Sequence, residues 1–430
     1  MASVWLGAAL LGCSDEASVL PAEQVEPEGV TGSAGSMGSA GSMGSAGSSA
    51  APLEPAAPPL YVVSTTVTTG DTDQGYLVPV AAIEAGATFD LENAIEIADS
   101  SIATLRDQPY LYVGSNVDPT ITRWELRGDT LVPGPVLNLA NLGLTRASVG
   151  PELMHSPQRA YIADDQERQV VVWDPEAMTI VGTIPLDVQA EGALQPSMAL
   201  FVRPDRVLAV VSWQGSFDDD WSVFGRRVRV FSIDPTSDEI VSVADEDRCN
   251  SMFWSSVASD GTAYFSPLSY YTPIRAMLGG QLGPDSCSLR VVPPGTAFDG
   301  GYEVDLNGLV GGRPAGTVFL VRDDVAFIRA WHAELVTPVT ADKSNWQDVI
   351  NEAGFLWWRW QLGSPSATQI PDQSPGASEV TALYEVDGHK YVPRVAADYS
   401  STTLDELDPA GALRPTLSGP GSIWGLVRMR

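Results

Sequence analysis

Three long segments in the second half of the chain gather most of the side chains that could hold a ligand. Residues 213–227 (WQGSFDDDWSVFGRR) carry Trp213, Trp221, Arg226 and Arg227. Residues 266–287 carry Tyr270, Tyr271 and Arg275, and residues 330–354 carry Trp331, His332 and Trp346. Indole and phenol faces attract flat rings and cations, and a guanidinium pairs with planar anions while stacking on aromatics. Together these residue types suit a flat, anionic, aromatic ligand. The same residues would serve equally to pack the loops over one another.

Other chemistry has little footing. His155, His332 and His389 are scattered, and with only three cysteines in the chain no zinc or haem ligand set is legible. The run Asp218-Asp219-Asp220 would suit a hard cation such as a structural calcium, although adjacent loop acids are more often simply solvated. The repeat GSAGSMGSAG has no strand before it and no helix after it, so it is no phosphate cradle. No serine sits on a recognisable nucleophile turn. No catalytic residue, metal or organic cofactor is therefore assigned. An enzyme that draws its residues from several loops would leave no motif. A lactone hydrolase or metal-dependent oxidoreductase thus stands open beside a ligand-binding protein and a pure interaction scaffold.

The elements that position these loops are short β runs separated by Gly, Pro and Asp turns, from Leu60 onward. The segments 159–186, 206–243 and 390–417 repeat one order: strand, turn, strand, Asp-Pro turn, strand. The Asp-Pro pairs at 174–175, 234–235 and 408–409 hold the same place in each. Proline fixes φ and aspartate bonds the nearby backbone, so each pair suits a tight turn. Repeats of four strands point to an all-β fold, a seven-bladed β-propeller over residues 60–430, with units at about 60–98, 101–140, 144–190, 196–245, 249–299, 302–372 and 376–418. Six or eight blades remain as alternatives. The last strand, 422–430, has no unit of its own and is expected to pair with the first blade and close the ring. One short helix is expected within 342–354, and Trp357, Trp358 and Trp360 are expected to face the core. In this arrangement the three long loops join the second and third strands of three consecutive blades, which places them side by side on one face.

The amino terminus reads differently. Residues 3–12 are apolar but too short to span a bilayer, which takes about 20 residues. Leu10-Leu11-Gly12-Cys13 looks like a lipoprotein processing site, which makes 1–12 a signal peptide and Cys13 the lipidated residue, although no basic residue precedes Arg106. Residues 13–59, rich in Gly, Ser, Ala and Pro, read as a disordered tether. About 40 such residues reach ~35 Å on average. With Cys13 assigned to lipid, Cys249 and Cys287 remain as a pair, and an extracytoplasmic domain permits a disulfide between them.

Net charge is −30, and the first 105 residues hold 13 acidic residues and no basic one. The remainder still carries 41 acids against 24 bases, which argues against a nucleic-acid partner.

Two stretches, YVVSTTVTTGDTDQGYLVPV (61–80) and YLYVGSNVDPTITRWELRGDTL (110–131), resemble the opening blades of propeller lipoproteins from siderophore-uptake loci. These include the xenosiderophore-utilisation lipoproteins and the MxcI-type proteins of myxochelin clusters. The resemblance implies an outer-membrane lipoprotein that captures a ferric siderophore and passes it to a TonB-dependent transporter. Iron would enter only as the siderophore complex, and a monomer is expected. The family offers no binding motif to carry over, so the expected ligand contacts rest on loop length and composition: Trp213, Trp221, Arg226, Arg227, Tyr270, Tyr271, Arg275, Trp331 and His332.

Overall fold

The structure, a computed structural model, describes residues 58–430 except 70–71, 99, 105–108, 151–152, 216–223, 250, 279–285, 341–343, 377–381, 397, 409 and 411. The proposed signal peptide, Cys13 and nearly all of the tether lie outside the described residues.

Seven antiparallel sheets, ordered around a ring, form a seven-bladed β-propeller. Blade four shows the plan: Gln195–Val202, Val207–Gln214, Phe224–Asp234 and Glu239–Glu246, from the axis outward. Its second strand, VLAVVSWQ, is buried along its whole length because neighbouring blades cover both faces. Such a strand reads as an unbroken apolar run. The outer strand, EIVSVADE, alternates between exposed and half-buried, as expected where one face meets solvent. The Asp-Pro turns behave as the sequence predicts: Asp174 accepts from the Ala177 N–H, Asp234 from Thr236 and Asp408 from Ala410, each at 2.8 Å.

The ring closes with the terminal strand. Ser422–Arg428 pairs antiparallel with Tyr61–Thr69 and becomes the inner strand of blade one, inside Thr72–Val80 and Ile95–Ile97. Gly425 is required there, since a Cβ would stand 2.3 Å from Ile102 of blade two. Tyr61 donates to Asp387 at 2.7 Å, Arg428 pairs with the same carboxylate, and Tyr384 donates to the Ile423 carbonyl at 3.0 Å. These contacts bind blade seven to blade one.

The units depart from their sequence boundaries in two places. Ala87–Thr88, within the first unit, pairs in parallel with Leu413–Pro420 and adds a fifth strand to blade seven. The outer strand of blade five is Val304–Asp305, so residues 302–305 belong to that blade and blade six begins at Ala315. A two-residue strand after a Pro/Gly-rich stretch carries no alternation to read. The expected helix is Trp346–Asn351. A second, Tyr271–Leu278, was not legible from periodicity. No helix among the described residues is long and apolar enough to cross a membrane. Trp360 is buried, and Trp357 and Trp358 pack against core clusters, as expected.

Cys249 and Cys287 form a disulfide with Cα atoms 5.9 Å apart, closing a loop across 38 residues. It ties the connection between blades four and five to the third strand of blade five.

Two outcomes are expected. Ending the chain before Ser422 leaves the edge of Tyr61–Thr69 unpaired, so circular dichroism should show the cooperative melt lost and gel filtration should show aggregates. A truncated chain that melts like its parent would show the closing strand to be dispensable. Replacing both disulfide cysteines by serine should lower stability by about 4 kcal/mol, by the loop-entropy argument, in denaturant titration.

Candidate functional site

In each blade the loop between the second and third strands opens on the same face as the connection to the next blade. The long loops of blades four, five and six lie on this face, with the connections 185–195, 246–254 and 305–315. Two neighbourhoods result, one aromatic and one polar.

The aromatic side is well packed. Tyr270 and Tyr271 set their rings edge to face at 5.8 Å. With Leu268, Ile274, Trp331, Val349, Ile350 and Phe355 they form one buried cluster. The loops of blades five and six therefore cover each other. Trp213 lies between blades three and four, its indole N–H donating to the Gln189 carbonyl at 2.7 Å. The Arg227 guanidinium covers that indole at 4.6 Å and pairs with Glu191 and with Asp245 at 3.3 Å. Trp221, the Asp218–Asp220 run and the side chains of Arg226 and Arg275 lie outside the described residues. The structure thus brings Tyr270, Tyr271 and Trp331 together, while Trp213 belongs to a separate cluster.

His332 is buried at the start of the blade-six loop. Its Nε2 accepts from the Trp358 indole N–H at 3.3 Å, and its Nδ1 lies 3.0 Å from Glu334. The Arg313 Nε–H lies 3.2 Å from the same Nδ1, so that nitrogen serves either Glu334 as donor or Arg313 as acceptor, according to the tautomer. Burial pushes its pKa down, Glu334 opposes this, and the Arg313 charge adds to the lowering. Arg313 pairs with Glu334 at 3.0 Å and covers the Trp358 ring at 5.8 Å.

Sequence reasoning missed Arg329. Its guanidinium is buried between Phe355 at 4.7 Å and Trp357 at 5.8 Å. Burial brings its pKa down to about 9, with Tyr399 opposing the shift. A lone arginine in the apolar strand VAFIRAW gave no signal of this surrounding.

The polar side, also missed, lies where blades two, three and four meet at the mouth of the central channel. Asp164 and Asp165 begin the blade-three loop but face different ways. Asp164 is used by its own turn, accepting from the Glu167 N–H at 3.1 Å and the Gln169 amide at 2.8 Å. Asp165 reaches across to blade four and accepts from the Met198 N–H at 2.8 Å. Met198 is on the innermost strand, so an N–H turned away from its partner strand points toward the axis. Asp165 is half-buried. Burial pushes its pKa up to about 7, against the Met198 N–H and the Arg146 charge.

Arg146 comes from the connection between blades two and three. That segment lies close on the second strand of blade two: the Ala147 N–H donates to the Ser115 carbonyl at 2.8 Å, and a Cβ on Gly114 would stand 2.2 Å from the Ala147 oxygen. Burial also lowers the Arg146 pKa. No described residue gives its guanidinium a hydrogen bond or ion pair. Ser197 is buried beside Asp165, and its hydroxyl acts on that carboxyl to lower its pKa, against the effect of burial. No group of three or more His, Cys, Asp or Glu residues that could hold a metal ion occurs among the described residues.

The Asp165 shift has a sign that can be checked. The folded state holds this proton more tightly than the unfolded chain between about pH 4 and pH 7. Stability should therefore fall as pH rises through that window, with the full penalty present above it. Asp165→Asn should flatten this part of the profile and be more stable than the parent at pH 8. Equal pH profiles from denaturant titration would contradict the assignment.

No protein-family model matches the chain, and no curated protein matches it. Solved structures do. The periplasmic gluconolactonase of Pseudomonas aeruginosa aligns at 13% identity with a TM-score of 0.52, over 86% of this chain and 99% of that one. A protein from Lactobacillus plantarum aligns at 14% identity and TM-score 0.51, over 87% and 99%. A candidate 6-phosphogluconolactonase from Bacteroides uniformis aligns at 9% identity and TM-score 0.53, over 86% and 100%. At these identities the likeness shows the fold alone: the chain shares the propeller architecture of these proteins.

Proposed function

We propose that this protein is an outer-membrane lipoprotein, anchored through Cys13, that binds a ferric siderophore of catecholate type and delivers it to a TonB-dependent transporter. The observation that carries this reading is the gathering of guanidinium–aromatic stacks in the long-loop blades: Arg227 on Trp213, Arg313 on Trp358, and Arg329 on Phe355. A siderophore that already saturates Fe(III) needs no histidine or cysteine ligands from the protein. It needs flat apolar faces and cationic edges, which such stacks offer when a loop shifts. The acidic body opposes an anionic ligand only within about 8 Å in physiological salt. The disulfide fits an oxidising compartment.

The test is tryptophan fluorescence of the full chain, titrated with iron-loaded and iron-free siderophores of catecholate, hydroxamate and carboxylate types. Saturable, iron-dependent quenching is expected. Arg227→Gln and Arg313→Gln should each weaken it about tenfold, the scale of one charge-assisted contact. A flat response from folded protein across the panel overturns the proposal.

A lactone hydrolase is the second reading, and Asp165 favours it. A carboxyl that titrates near neutrality can act as general base. It would take a proton from water adding to the lactone carbonyl and return it to the departing ring oxygen, while Arg146 steadies the carbonyl oxygen. A pH-stat assay with glucono-1,5-lactone should then show catalysed opening that Asp165→Asn abolishes. Opening no faster than without protein removes this reading.

A further inference from the structure

Blade four carries two arginines at its base, on the face opposite the long loops. Its innermost strand ends at Val202 and its second begins at Val207, with Arg203-Pro204-Asp205-Arg206 turning between them. The Arg203 N–H donates to the Arg206 carbonyl at 2.8 Å, one step beyond the Val202–Val207 pair. Arg203 and Arg206 therefore stand opposite each other. Residues so placed project from the same side of a sheet with Cβ atoms about 5 Å apart, and like charges in that relation repel.

The Arg203 side chain is fully buried. Of the five N–H donors of a guanidinium, its own makes one bond to protein, from Nη2 to Asp205 at 3.1 Å. Its Nε and Nη1 are buried with no partner among the described residues, and so is the Nε of Arg206. Arg206 is otherwise better served: its Nη1 donates to the Asp205 carbonyl at 2.6 Å and lies 3.8 Å from the Asp234 carboxylate. Two acids thus stand beside the arginines, but both face outward. The Asp205 side chain is 42% exposed and that of Asp234 33%. Water screens those carboxylates far more than it screens the enclosed guanidinium. A buried donor on a charged group is costly to leave open, so a structure that keeps one has an acceptor for it.

The open groups are all donors, and they belong to two cations that face each other. A water molecule accepts from the donors but leaves the repulsion, whereas an anion answers both. The full burial of Arg203 admits only a small ion, with no room implied for a phosphate ester or a hydroxy acid. We infer that Arg203 and Arg206 hold a small monovalent anion of the halide class, chloride being the abundant one, at the base of blade four. The site shares no residue with the siderophore reading or the hydrolase reading.

The test is urea titration of the full chain in methanesulfonate, with chloride replacing methanesulfonate at constant ionic strength. The urea midpoint should climb with chloride, as an ion bound by the folded state alone requires. Bromide should act in the same way. Arg203→Met keeps the apolar stem and removes the donors, so it should melt cooperatively and lose the chloride dependence. Arg206→Gln should need about tenfold more chloride for the same rise. Crystals grown in bromide should show an anomalous diffraction peak against the Arg203 guanidinium. A midpoint indifferent to both halides overturns the inference. So does a chloride dependence that survives intact in folded Arg203→Met, or bromide crystals with a water and no anomalous peak at Arg203. Fluorescence quenching by ferric siderophores can succeed or fail independently of these results.

Discussion

Everything in this propeller rests on the pairing of its two ends. A ring of seven sheets has no free inner boundary only if the last strand finds the first. Here Ser422–Arg428 fills the innermost place in a blade whose other strands come from the start of the domain. The closure is made of backbone ladder bonds, supported by the Asp387 contacts to Tyr61 and Arg428. Without it, blades one and seven would each lose a packed face, and the edge of Tyr61–Thr69 would be open to other chains. With it, loops that grow from individual blades are held at fixed positions around one axis. Arg146, Asp165 and Met198 can then meet although each comes from a different blade.

The loop-bearing face is divided in its chemistry. On the side of blades five and six, the two long loops bury their aromatic rings against each other, with a disulfide bracing the base of the blade-five loop. On the side of blades two and three the loops are shorter, and the inward groups are charged or hydroxylic. Burial acts on both sides in opposite directions: it lowers Arg329, Arg146 and His332 and raises Asp165. Each shift moves its group toward the neutral form, as expected where protein replaces water around a charge. The face combines rigid apolar packing with ionisable groups partly withdrawn from water.

Much of the architecture was legible in the sequence because propeller blades repeat. Alternation, Asp-Pro turns and an unpaired final strand are local signals, and each translates directly into a ladder or a turn. Long loops could likewise be counted and placed on one face. What the loops do was less legible. Tyr270, Tyr271 and Trp331 have the composition of a ligand site and the packing of a small core, since both uses need the same apolar area. Asp165 was hidden for a different reason. It sits beside Asp164 in a turn that resembles the other turns of the chain, and only the neighbouring blade turns its carboxylate toward the axis. Arg146 precedes an unremarkable Ala-Ser-Val, and its isolation depends on contacts far apart in sequence.

The point where the chain joins the propeller has a mechanical consequence. Leu60 donates to the Arg430 carbonyl at 3.2 Å, so the beginning and end of the domain meet at one spot. Tyr61–Thr69 is a second strand, and its start lies on the face away from the long loops. Residues 58–60 therefore lie at the face opposite the long loops. A pull on Pro58, directed away from the loop face, runs along Tyr61–Thr69 itself. It would slide the strand past Ser422–Arg428 on one side and Thr72–Val80 on the other, straining both ladders at once. Hydrogen bonds loaded together in shear resist force far better than bonds opened one by one, so the seam that closes the ring is also placed to bear load.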